Sequence, residues 1–319
     1  MKTVVVGAND AGQRVDKFLT KTFPNLPQSM MYRGIRKKDV KLNGKRCGIS
    51  ARLCEGDVLT LYLKDEFFQT QPERCDFLKA PDRLNVAYED ENLMVLDKPP
   101  GLIVHPDETY RFDSLIARVQ HRLYEKGEYR PEEEHSFAPA LVNRIDRNTG
   151  GLVMAAKNAE ALRVLNEKVK KREIRKLYLC VVCGVPQDKE ATLTGYLEKN
   201  EKQNRVYITA RPTRDSRSIV TRYRVLARRK AFSLLEVELL TGRTHQIRAH
   251  LASIGHPLAG DGKYGTNALN KASGFPYQAL YSYKLRFRFA SDAGMLEYLN
   301  GREIEAKDIW FLREFYRLP

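Results

Sequence analysis

Two short segments of this 319-residue chain gather residue types that can do chemistry. The first is Asn143-Arg-Ile-Asp-Arg-Asn-Thr-Gly-Gly151, a polar loop that runs into the apolar stretch Leu152–Ala156. A carboxylate at Asp146, on a loop edge between Arg144 and Arg147, can serve as a nucleophile or a base. The same pattern also suits an Asx-type turn, in which Asp146 or Asn148 caps loop amides. The second segment is Leu240-Thr-Gly-Arg-Thr-His-Gln-Ile-Arg-Ala-His250. Gly242 permits a tight turn, Thr244 is a candidate N-cap, and Ile247, Leu251 and Ile254 form a stripe that ends at Gly255. Arg243 then stands beside a helix start, where a guanidinium can clamp a phosphate or pair with a carboxylate. A plain surface arginine on a turn reads equally well.

A third segment, Arg205 to Lys230, holds eight Arg and one Lys against the single acid Asp215, with Tyr207 and Tyr223 between them. Such a run suits a nucleic-acid backbone and exposed bases, although a solvated face has the same composition. A metal site is not expected. His245 and His250 are five apart, about 500° of helix rotation, so they do not share a face, and His256 lies beyond Gly255. Cys180 and Cys183 sit in a run that reads as a buried strand, where positions three apart face opposite sides, and no second pair completes a zinc site. They read as core cysteines.

Composition narrows the setting. Fifty-five Lys and Arg against 40 Asp and Glu leave a net charge of +15, which argues for a polyanionic partner, most simply nucleic acid. Apolar runs such as Leu177–Cys183 fall far short of the ~20 residues that span a bilayer. No signal peptide is visible, and five scattered cysteines fit a reducing compartment, so a cytoplasmic protein without a membrane segment, monomeric, is expected.

Those candidates need a scaffold. Short β-rich runs alternate with a few helices from Val86 onward, and no internal repeat is present. Helices are expected at 114–126, 158–172 and 244–254, and strands at 93–96, 152–156, 178–182 and 235–239. The expected class is α+β: a mixed, mainly antiparallel sheet with flanking helices and loops over residues 86–319. Residues 65–85 read as a linker, with Gln69, Gln71, Pro72, Glu73 and Pro81 polar or breaking. Residues 1–64 are a small basic α/β unit carrying +8 of the charge. It comprises a helix from Arg14, a second helix over 28–38, a hairpin through Asn43-Gly44 and a strand from Val58. Its Arg14-Val-Asp-Lys-Phe-Leu19, Val40-Lys-Leu-Asn-Gly-Lys45 and Glu55-Gly-Asp-Val58 segments resemble the S-four RNA-binding module.

Taken in order, the motifs resemble those of the RluA-type pseudouridine synthases. Leu96-Asp-Lys-Pro-Pro-Gly-Leu-Ile-Val-His-Pro106 is similar to the family's opening strand and loop, and Asn143–Gly151 to its catalytic loop. Arg175-Lys-Leu-Tyr178 is similar to its tyrosine strand, and Thr241–Arg248 and Gly260-Asp-Gly-Lys-Tyr-Gly265 to its last two motifs. Asn143 stands where the family usually has His, Ile145 where it has Leu, and Gly150 where it has Ser. The resemblance implies isomerisation of uridine to pseudouridine in structured RNA, with the base flipped from its stack. Ribosomal RNA is the expected substrate and tRNA the alternative; a catalytically silent RNA-binding or ribosome-assembly protein of the same fold, and a nucleoside or RNA glycosidase, are the other readings. No cofactor is implied. It further implies Asp146 as the catalytic carboxylate, Tyr178 as the residue that stacks on the uracil and a candidate to help remove the C5 proton, and Arg243 as the partner of Asp146. Arg144 would fill the gap left by the flipped nucleotide. Arg147, Thr149, Thr244, His245, Gln246 and Arg248, in the same motifs, would meet the substrate.

Overall fold

Val15, Phe18 and Leu19 recur at helical spacing, and they bury the inner face of α1 (Val15–Thr22) in a computed structural model that describes residues 1–69 and 75–318. A second helix, α2 (Gln28–Lys37), follows and ends where Lys38 turns left-handed at φ 69°. Strands β1 (Lys2–Val5), β2 (Val40–Leu42), β3 (Lys45–Arg46) and β4 (Val58–Leu61) form one sheet in the order β1-β4-β2-β3. Asn43 and Gly44 both have positive φ, 50° and 73°, as a two-residue hairpin turn between β2 and β3 needs. β1 is not foreseen in the sequence, because a four-residue strand without alternation carries no period to read. Gln71, Pro72 and Glu73 of the expected linker lie outside the described residues. Phe67 and Phe68 pack on the N-terminal core, whereas Phe77 is buried in the main core.

The remaining elements run β5 (Val86–Glu89), β6 (Leu93–Lys98), α3 (Leu115–Glu125), β7 (Ala140–Leu141), β8 (Gly150–Ala156), α4 (Ala159–Lys170) and β9 (Ile174–Cys183). They continue through β10 (Glu190–Asn200), β11 (Arg205–Thr209), β12 (Arg217–Arg228), β13 (Phe232–Leu239) and α5 (Gln246–Ser253). The chain closes with α6 (Asn267–Ser273), β14 (Leu280–Phe287), β15 (Glu303–Glu305) and α7 (Leu312–Arg317). The strands form one sheet in the order β11-β10-β12-β13-β9-β14-β8-β6-β5, with β7 on β8 and β15 on β14. Every pairing is antiparallel except β14 with β8. The α+β expectation therefore holds. Ser114 and Asn158 cap α3 and α4 through Ala117 and Ala161 amides.

Both faces of the middle of the sheet are covered. On β9, Tyr178, Cys180 and Val182 enter one core, while Leu179, Val181 and Cys183 enter the other. That is why the sequence there reads as an unbroken apolar run, and why the two cysteines are core residues on opposite faces. The basic segment from Arg205 forms β11 and β12. Ile219, Thr221 and Tyr223 point inward, and Arg222, Arg224 and Arg228 point to solvent. Tyr223 is buried, so it cannot stack on bases as its place in the run suggested; the strand's period of two turns it away from its arginine neighbours. No motif is legible after Arg302, yet Phe311 and Phe315 of this tail are fully buried.

The N-terminal unit docks on the large sheet domain through polar contacts. Buried Asp10 accepts hydrogen bonds from the Ser136 amide at 3.2 Å and its hydroxyl at 2.5 Å. Asn9 Oδ1 accepts from the Ala159 amide at the start of α4, at 3.0 Å. The His135 ring meets Phe18 edge-on, centroids 6.3 Å apart.

Candidate active site

The loop 143–149 is held from three sides. At its start, Asn143 is buried and bridges to β8, its Oδ1 accepting from the Met154 amide at 2.9 Å and its Nδ2 donating to the Leu152 carbonyl at 3.4 Å. At its tip, the Asp146 carbonyl accepts from the Thr149 amide at 3.0 Å and closes a turn. From beneath comes Lys98, fully buried, whose three N–H groups go to the carbonyls of Pro99, Leu102 and Arg147 at 2.8–2.9 Å. Burial pulls its ammonium down to about 7, and nearby Asp146 opposes that shift. Arg147 reaches back, its Nε donating to Gly101 at 3.0 Å and its guanidinium lying over Tyr110 at 4.2 Å. Asn143 and Lys98 therefore fix where Asp146 sits. The Gly150 departure also has a cause: a Cβ there would lie 2.4 Å from the Tyr281 ring.

The opposite wall comes from the turn before α5. Gln246 is buried and uses its whole amide. Oε1 accepts from the Thr241 hydroxyl at 2.9 Å and the Arg243 amide at 3.1 Å; Nε2 donates to the Val220 carbonyl and the Thr221 hydroxyl. With four bonds made, it has nothing left for a substrate, and its expected contact role is corrected to that of a turn brace. Thr244 is not the N-cap. His245, left-handed at φ 54°, holds that position without a side-chain cap, and the Gln246 bond to Arg243 satisfies the turn instead.

Arg248, in the first turn of α5, is the arginine that reaches Asp146. Its Nη1 donates to Asp146 Oδ2 at 2.9 Å, while Nε and Nη2 fork onto buried Asp261 at 2.8 and 2.9 Å. Asp261 also accepts from the Lys263 and Tyr264 amides, and although burial opposes it, these bonds and Arg248 keep its carboxyl below the usual range. The expectation that Arg243 pairs with Asp146 is thereby corrected. Arg243 lies on the exposed turn, and among the described residues its side chain has no ion pair. Five residues on, Arg248 is carried inward by the helix, beside Asp261. His245 adds a second neighbour: Nε2 stands 3.8 Å from Asp146 Oδ2, and Nδ1 meets the Tyr264 hydroxyl at 3.0 Å. Burial, its largest influence, biases this ring toward the neutral form.

The two walls enclose a cavity of about 270 Å³. It is lined by Asp146, Tyr178, Arg144, Thr149, Arg243, Thr244, His245, Gln246 and Arg248, so nine of the ten residues singled out in the sequence meet there. Arg147 does not line it and serves the loop instead. Asp146 is the one carboxylate among the lining residues, with its side chain 24% exposed. Tyr178 forms the floor from β9, between β13 and β14, and burial pushes its phenol up to about 12. It is a neutral ring at ordinary pH. Three contributors escape the sequence reading. Lys98 and Asp261 sit inside quoted motifs, where a buried charge cannot be told from a solvated one; Lys176, two residues before Tyr178 on the same strand face, lines the cavity too. Among the described residues no group of three or more His, Cys, Asp or Glu is placed to hold a metal. His245, His250 and His256 are each engaged separately, by Tyr264, Thr221 and the Cys183 carbonyl.

The cleft in this large antiparallel sheet thus brings together one carboxylate, one buried tyrosine and an arginine paired with two carboxylates. Residues 92–253 match the family described as RNA pseudouridylate synthase. A "Ribosomal large subunit pseudouridine synthase C" of Salmonella typhi is 34% identical over 269 residues, 83% of this chain and 80% of that one. Its namesake in Vibrio vulnificus (strain CMCP6) is 32% identical, over 90% and 88%. "Uncharacterized RNA pseudouridine synthase YlyB" of Bacillus subtilis (strain 168) is 31% identical, over 89% and 88%. The solved structure "Human RNA Pseudouridylate Synthase Domain Containing 4" shares the fold, with TM-score 0.57, 20% identity and coverage of 73% and 92%. The chain belongs to the RNA pseudouridylate synthase family and is an RNA pseudouridine synthase. No helix among the described residues is long and apolar enough to cross a membrane.

Proposed function

We propose that the protein converts uridine to pseudouridine in ribosomal RNA, with Asp146 as the catalytic carboxylate and no cofactor. The observation that carries the reading is the single carboxylate in the cleft, bonded to Arg248 at 2.9 Å and lining the same cavity as Tyr178. The reaction breaks the bond between ribose C1′ and uracil N1 and forms one from C1′ to C5. N1 gains a proton and C5 loses one, so nothing is oxidised, reduced or imported. Asp146 can start it by attacking C1′ or by taking a ribose proton; both routes need one oriented carboxylate. A hydrolase would place a second acid to direct water, and the lining residues hold none.

Arg248 orients Asp146 and spreads its own charge between two carboxylates. Tyr178, as a neutral ring on the floor, suits stacking on the detached uracil better than proton removal. A cavity this size admits one nucleoside and not a base pair, so the uridine must leave its stack, at a cost of a few kcal/mol. Arg144, exposed on the rim, would occupy the vacated position, as its motif in the family implies. The basic residues of the N-terminal unit, as an S-four-like module, would add affinity for the folded RNA. Ribosomal RNA is favoured over tRNA by the names of the relatives. The test is pseudouridine mapping in ribosomal RNA and tRNA from cells with and without the gene. Loss of a site in ribosomal RNA supports the reading, loss only in tRNA redirects it, and abasic sites with free uracil would replace isomerase by glycosidase.

A further inference from the structure

Beside the uridine cavity lies a second, larger hollow of about 600 Å³ between the end of α4, the start of β9, the end of β13 with the turn after it, and Arg222 of β12. The two share Val169, Lys176, Leu239, Gly242 and Arg243, so they form one continuous depression. Six cations line the larger part: Lys170, Arg172, Arg175, Lys176, Arg222 and Arg243. They face one acid, Glu238, which stands 3.9 Å from Arg175 and 3.5 Å from Arg222, beyond good hydrogen-bond length. One carboxylate offsets one charge, and the groove keeps a surplus of five positive groups.

Two of the cations are held in costly settings. Arg172 occupies the left-handed position after α4, φ 62°, where glycine is the natural residue. Lys176 is partly buried at the junction of the two hollows, burial lowers its pKa, and among the described residues its ammonium has no hydrogen bond or ion pair. By contrast, the outward Arg224 of the same sheet has its own carboxylate, Glu236, at 2.9 Å. A row of cations with a surplus of positive charge, leading from the uridine cavity, fits a run of phosphates spaced along one strand.

We propose that this groove is the binding track for the RNA strand flanking the target uridine. Arg172, Arg175 and Arg222 hold successive backbone phosphates, and Lys176 meets the phosphate at the mouth of the uridine cavity. The inference rests on the reading of the cavity as the uridine site.

The test uses the full chain and an in vitro transcript of large-subunit ribosomal RNA, with Arg172→Gln, Arg175→Gln and Arg222→Gln made singly and together. All three side chains are exposed, so folding should hold, and thermal melts check it. Removing three phosphate contacts from a single strand should cut the log–log salt slope of binding by about two, and raise KM about tenfold or more in moderate salt. The rate constant at saturation should stay within about twofold, since no lost contact touches the reacting atoms. If the triple variant is unstable, the single variants should each lower the slope by about 0.7. An active wild type whose variants keep its slope and KM would overturn the track alone, as would a fall in kcat at unchanged KM. A wild type that isomerises no uridine in any RNA would instead overturn the reading of the cavity.

Discussion

Replacing Arg248 by lysine should be far more damaging than the same change at Arg243. Arg248 makes three charge-assisted bonds of 2.8–2.9 Å, two to Asp261 and one to Asp146. Only a planar fork reaches both carboxylates at once; a lysine ammonium is a point charge that can serve one. Asp261 is fully buried and Asp146 is partly exposed, so the lysine should stay with Asp261 and abandon Asp146. One charge-assisted hydrogen bond is worth about 1.5–3 kcal/mol. If that bond orients Asp146 in the transition state, the rate should fall roughly 10- to 150-fold. Stability should drop by about 1–3 kcal/mol as the two-pronged contact with Asp261 is lost. Arg243→Lys keeps the charge on an exposed turn and should change the rate by no more than about twofold. The assay is single-turnover tritium release from RNA labelled at uracil C5, with thermal melts beside it. A well-folded Arg248→Lys protein with wild-type rate would refute the reasoning, and so would a larger loss in Arg243→Lys.

Three further outcomes follow from the support around the loop. Lys98→Met strips three part-buried carbonyls of their donor and should cost about 1–3 kcal/mol. Because burial lowers the folded pKa to about 7 while the unfolded lysine keeps its proton to about 10.5, wild-type stability relative to the variant should rise with pH across that interval; a flat difference in melts from pH 7 to 10 would contradict it. Gly150→Ser, which restores the residue usual in the family, should destabilise by about 1–3 kcal/mol because its Cβ collides with the Tyr281 ring, and adding Tyr281→Leu should recover part of that loss in urea unfolding. Deleting residues 1–64 should leave a folded, active domain with weaker RNA binding and a shallower salt slope, since the contacts it loses, at Ser136 and the Ala159 amide, are polar and can return to water. An unfolded remainder would count against that division.

Much of the site is legible in the sequence because its motifs are local. The Asn143–Gly151 loop, the Tyr178 strand and the turn before α5 each carry turn residues beside apolar runs, and those runs place them. Partnership between distant segments is not local. Arg243 and Arg248 differ by five positions, and which of them meets Asp146 depends on how α5 sits against β11 and β12. Buried Lys98 looks like any exposed lysine until its three carbonyl acceptors are known. The long strand β12 is hidden for a different reason: its outward positions are so basic that charge masks the inward period of Ile219, Thr221 and Tyr223. Gly150 and Asn143, which look like departures from a pattern, answer to Tyr281 and Met154 across the sheet.

Turnover by Asp146→Asn protein tests the central claim most directly. The substitution preserves size and leaves an oxygen to accept the Arg248 bond, but it removes the charge and the nucleophilic carboxylate. No other lining residue is an acid that could substitute. The fold should therefore persist, RNA affinity should hold or rise as one negative charge disappears, and tritium release from C5 should fall to background. Appreciable isomerisation by a well-folded Asp146→Asn protein would contradict the account and return Asp146 to the role of a loop cap.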